Sequence, residues 1–107
     1  MFAHHKASLN RIGALLRERL GGNFVSMYAF GSRVRGDHDE RSDFDVLVVV
    51  KKRKPTAEAV IIDTFLEDEV ESGVSFDPVI KSLASFELER EHNTPFYENV
   101  VRDGVPV

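Results

Sequence analysis

No cysteine occurs in the 107 residues, which excludes disulfides and thiolate metal sites. No apolar run approaches membrane-spanning length; the longest candidate, Val46 to Val50, fits a buried strand. The first residues, MFAHHKASLNR, lack the apolar stretch of a secretory signal, so the expected compartment is the cytoplasm and no membrane partner is expected. Basic residues do not predominate: formal net charge is −4, which argues against nonspecific nucleic-acid binding. Repeats, low-complexity tracts and linkers are also missing. What is present, 42% hydrophobic and 30% charged residues, suits one globular domain over residues 1–107 with a modest core.

Punctuation along the chain predicts alternating helices and strands. Ser8 or Asn10 is a candidate cap for a helix to about Leu20, with Leu9, Ile12, Leu16 and Leu20 as its apolar stripe and Gly21-Gly22 as its stop. Phe24 to Phe30 and Phe44 to Val50 read as strands, the second valine-rich enough for a central, doubly covered position. Between them Ser32 to Gly36 reads as one helical turn and Asp37 to Ser42 as a polar loop. Thr56 is a candidate cap for a helix to about Ser72, with Val60, Ile61, Phe65 and Val70 among its buried positions. Its acidic stretch Glu67, Asp68, Glu69 and Glu71 reads as a solvated face. Val74 to Ile80 is a third strand, Ser82 or Ser85 starts a helix to about Glu91, and Phe96 to Val101 forms one more short helix. The fold class expected is α/β (α+β), a small mixed sheet flanked by helices.

The basic run Lys51, Lys52, Arg53, Lys54 reads first as a solvated turn; attraction of phosphate or docking of a partner is the alternative. His4, His5, His38 and His92 show no metal-ligand spacing and read as surface residues.

The segment GSRVRGDHDERSDFDVLVVV, Gly31 to Val50, carries the chemistry. Asp43 and Asp45 stand two apart at the head of a strand, so both carboxylates project from one face, where Mg²⁺ can be held. Gly31-Ser32 offers backbone N–H groups and a hydroxyl to phosphate oxygens. Asp77, in VSFDPVI, supplies a third carboxylate on a neighbouring strand. The competing reading is an edge-strand aspartate facing solvent, since Pro78 prefers edges. At ~5–7% abundance per residue type, the Gly-Ser/Asp-x-Asp pattern arises by chance in roughly one such chain in a thousand, which favours a site over coincidence.

Such a constellation suits a nucleoside triphosphate. Of two Mg²⁺ ions, one lowers the pKa of a nucleophile attacking the α-phosphorus and the other steadies the leaving pyrophosphate. Asp43 and Asp45 would bridge both ions. Asp77 would hold the nucleophile-side ion and assist deprotonation. Gly31 and Ser32 would anchor the β and γ phosphates. Arg33 is a candidate for phosphate contact or for pairing with nearby acids, and Arg35 fits a structural pair with a carboxylate. Ser42 reads as a loop cap.

Gly31-Ser32, Asp43-x-Asp45 and Asp77 resemble the signature of the DNA polymerase β-like nucleotidyltransferase superfamily. The ten-residue gap and the ending TPFYENVVRDGV resemble its minimal branch, the MNT-domain proteins, often antitoxins paired with HEPN-domain ribonucleases. Val34 departs from the pattern, where a small residue such as alanine is usual. The resemblance implies catalytic and metal-binding roles for Asp43, Asp45 and Asp77, nucleotide binding by Gly31, Ser32 and Arg33, and AMP transfer from ATP with Mg²⁺ onto a tyrosine hydroxyl of a HEPN toxin. Only about thirty residues follow Asp77, so an open cleft receiving a large acceptor is expected. The alternatives are a small-molecule hydroxyl as acceptor, with a partner subunit completing the pocket, and an antitoxin acting by binding alone. A homo-oligomer or a mixed complex is expected, because a small open sheet leaves edges to cover.

Overall fold

Hydrophobic periodicity accounts for most elements in the computed structural model, which describes residues 3–30 and 44–107. Helix α1, Ala3–Leu20, buries Leu9, Ile12 and Leu16, spaced to fall on one face. It does not wait for a polar cap: Ser8 lies inside it, fully buried, accepting from the Arg11 guanidinium at 3.1 Å. His5 lies four residues before Leu9 on the same face and is buried too, its ring 4.5 Å from that of Phe44. The surface reading of His5 is thereby corrected. Gly21, at φ +55°, opens a single 3-10 turn after the helix.

Strands β1, Phe24–Phe30, and β2, Phe44–Val50, pair antiparallel. Helix α2, Pro55–Ser72, then crosses over to β3, Phe76–Ser82, which lies parallel to β2. Pro55 occupies the first turn of α2, where its missing N–H costs nothing. The residue before it, Lys54, rather than Thr56, therefore takes the cap position. Gly73 ends α2 at φ +73°, donating its N–H to the Glu69 carbonyl. The strand β3 begins and ends two residues later than expected.

Helix α3, Leu83–His92, starts at Ser82, whose hydroxyl accepts from the Ser85 N–H. Asn93 turns the chain at φ 49°. Thr94 caps α4, Pro95–Asp103. A two-residue strand, β4 (Val105–Pro106), then joins the free side of β1. The sheet order is β3-β2-β1-β4, a mixed sheet with β2 inside, as expected from its valines.

The sheet has a core on each face. Toward α1 and α2 lie Met27, Phe44, Val46, Val48 and Phe76 with Ile61 and Phe65. Toward α3 and α4 lie Phe30, Leu47, Val49 and Val100 with Phe86 and Phe96. The acidic stretch of α2 is not uniformly solvated. Asp68 is buried, accepting from Arg11 at 3.0 and 3.2 Å and from the Ser72 hydroxyl at 3.1 Å. Val70, expected inside, is 86% exposed.

Candidate functional site

Alternation along β2 sends Phe44, Val46 and Val48 to the α1/α2 core and Leu47 and Val49 to the α3/α4 core. Asp45 shares the parity of Leu47. It is half-buried at the start of the strand, on the face that α3 and α4 cover further along. On β3, Phe76 faces α1/α2 and Val79 the other way, which gives Asp77 the same face as Asp45.

The parallel register puts Asp45 directly opposite Asp77. Adjacent strands lie about 4.8 Å apart, so the two carboxylates leave one face as neighbours. Asp77 is exposed on a strand that is outermost among the described residues, in keeping with Pro78 beside it. The edge position and the pairing with Asp45 hold together. Like charges at this separation repel unless a cation or proton offsets them. Two hard oxygen donors on one face fit a divalent cation such as Mg²⁺.

Gly31, Ser32, Arg33 and Asp43 lie outside the described residues, as do Val34, Arg35, His38 and Ser42. Among the described residues no three His, Cys, Asp or Glu side chains come together as a metal cradle; Asp45 and Asp77 supply two. Phe30 is the register partner of Asp45 on β1. Thus β1 ends and β2 starts at the end of the sheet where the two aspartates lie.

The carboxylate face has further neighbours, of which sequence reading missed Lys81. Phe30 meets Phe96 of α4 edge-on, with centroids 5.5 Å apart. Lys81 places its ammonium 4.6 Å from the Phe96 ring centroid and 2.7 Å from a Glu89 carboxylate oxygen. The signal for Lys81 was its even spacing from Asp77 and Val79, hidden by ending the strand at Ile80. Of the C-terminal apolar residues, Val100 and Phe96 join the core while Val101 is exposed.

The basic run is exposed, as the solvated-turn reading expects. Arg53 pairs with Glu58, and Lys51, Lys52 and Lys54 line an open depression of about 590 Å³ with Arg19, Asn23 and Thr56. That depression lies at the far end of β2 from Asp45. No helix among the described residues is long and apolar enough to cross a membrane.

Residues 11–103 match the nucleotidyltransferase domain family. A candidate protein adenylyltransferase of Methanocaldococcus jannaschii is 33% identical over 67 residues, 60% of this chain and 46% of that protein; the chain thus spans about half the length of this curated relative. A solved structure described as a minimal nucleotidyltransferase superposes with a TM-score of 0.58 at 28% identity, covering 95% of this chain and 94% of the other. An MNT antitoxin in complex with a tri-AMPylated HEPN toxin of Shewanella oneidensis superposes with a TM-score of 0.55 at 20% identity, covering 94% of this chain and 69% of the other. The chain belongs to the nucleotidyltransferase domain family. Its fold is that of the minimal members.

Proposed function

We propose that residues 1–107 form one minimal nucleotidyltransferase domain that acts in the cytoplasm, moving AMP from ATP to a hydroxyl, expected to be a tyrosine's, on a HEPN-domain toxin. In this reading the chain is the antitoxin of the pair. The observation that carries the chemistry is the register pairing of Asp45 with Asp77. The partner reading draws on the AMPylated complex of the Shewanella oneidensis neighbour and on the named activity of the archaeal relative.

Asp45, Asp77 and, by its two-residue spacing, Asp43 would hold two Mg²⁺ ions. When bound, Mg²⁺ supplies charge neutralisation at the triphosphate and acidity at the attacking hydroxyl. Asp77, the outer and more exposed of the pair, accepts the hydroxyl proton. The hydroxyl oxygen bonds to the α-phosphorus, the bond from that phosphorus to the α–β bridging oxygen breaks, and pyrophosphate leaves. Ser32 donates its N–H and O–H to the β and γ phosphates, Gly31 lets the backbone approach them, and Arg33 adds a cation. The exposure of Asp77 favours a large acceptor that docks from outside over a small molecule that must be enclosed.

The test is mass spectrometry of a HEPN-domain protein after incubation with the chain, ATP and Mg²⁺. The Asp43→Asn/Asp45→Asn variant serves as control. AMP additions with wild type and none with the variant are expected. A stable complex without AMP addition would leave antitoxin action by binding and overturn the transfer reading.

A further inference from the structure

The side of α2 that faces α1 and the sheet holds Ala57, Ile61, Thr64, Phe65 and Asp68. At 100° per residue, the opposite side carries Ile62, Leu66 and Val70, spaced by four. All three are exposed, at 42%, 51% and 86%. Asp63, Glu67 and Glu71 run along one side of this stripe, and Glu58 and Glu69 lie on the other; Glu67 already pairs with Arg19 and Glu58 with Arg53, so the charge offered to a partner is that of Asp63, Glu71 and Glu69. A row of three large apolar side chains open to water along one helix is unlike scattered surface leucines, and such patches mark interaction sites.

We infer that the outer face of α2 is a docking surface for a partner protein presenting an apolar ridge between lysine and arginine side chains. The flanking carboxylates select this occupant. A second copy of α2 would bring acidic rows against acidic rows, and like charges facing across an interface oppose binding. A basic-flanked ridge meets opposite charge on both sides of the stripe while covering it, in the manner of helix-in-groove recognition. The surface lies on the α1/α2 side of the sheet, away from the face of Asp45 and Asp77. A partner held there leaves the transfer site open. This inference rests on the partner-protein reading above and adds where that partner is held.

The experiment is isothermal titration of this chain with a HEPN-domain protein, without ATP, beside sedimentation of the chain alone. Leu66→Gln/Val70→Gln removes the stripe, and Asp63→Lys/Glu71→Lys reverses the flank. These positions are on the surface, so unchanged melting temperatures are expected. Each double variant is expected to bind about tenfold or more weakly than wild type. Wild-type affinity in both variants overturns the docking surface and leaves the transfer reading standing. Self-association of wild type that Leu66→Gln/Val70→Gln abolishes assigns the face to a second copy and also overturns it. If wild type neither binds nor modifies the HEPN-domain protein, the partner reading itself fails and takes the docking surface with it.

Discussion

Asp77→Asn is expected to stabilise the fold while abolishing transfer. Asp45 and Asp77 face each other across a parallel pair, with strand axes about 4.8 Å apart, so their charges are separated by about 6 Å. Coulomb repulsion at that distance is about 0.7 kcal/mol at the dielectric of water and about 3 kcal/mol at an effective dielectric of 20. Asp77 is exposed and Asp45 half-buried, which places the value near the lower end, about 1 kcal/mol. Asparagine keeps the shape and removes the charge. In chelator at low salt the variant should melt about 4 °C above wild type, given 4–8 °C per kcal/mol for domains near this size. Adding Mg²⁺ should raise wild type, because a ligand that binds only the folded state stabilises it by mass action. The variant, short of one donor, should gain less, and the gap should close or reverse. Paired thermal melts with and without Mg²⁺ read both effects. A variant melting at or below wild type in chelator would refute the reasoning, because the two carboxylates would then not be opposing each other.

Asp68→Ala should cost about 2 kcal/mol in urea unfolding, less than the ~3–5 kcal/mol of a fully buried pair, because Arg11 is half-exposed and regains water. Glu67→Ala, removing an exposed pair with Arg19, should change little, and equal effects of the two would contradict the buried network. Gly104→Ala should detach β4, since an added Cβ would sit 2.1 Å from the Val100 carbonyl oxygen and the backbone must move. Hydrogen exchange at the Val107 amide, which donates to Met27 at 3.0 Å, should accelerate; unchanged protection there would refute it.

Strands β1 and β2 were legible because their apolar runs are bounded by polar segments and need no partner to be recognised. The face shared by Asp45 and Asp77 was legible from alternation together with the helix–strand order, which makes the strands neighbours. Asp68 was missed because a run of acids was read as one face. Its phase, three residues after Phe65 and seven after Ile61, places it on the buried side. His5 was missed likewise, although its spacing from Leu9 continues the apolar stripe of α1. Val70 was placed inside on hydrophobicity alone, against the same phase. Strand β4 has two residues, too few for any periodic signal, and exists because β1 offers an unpaired edge.

The parallel pairing of β2 and β3 also gives the site a birthday. Asp45 and Asp77 are far apart in sequence and meet only after α2 has crossed over and β3 has zipped onto β2, a non-local step that closes a long loop. Before that moment a growing chain has Asp45 without its register partner Asp77, and on the proposed reading a partly made chain is correspondingly silent toward nucleotide. If Asp45 and Asp77 hold Mg²⁺ as proposed, Mg²⁺-dependent protection would report completion of the crossover and serve as a clock for the last stage of folding.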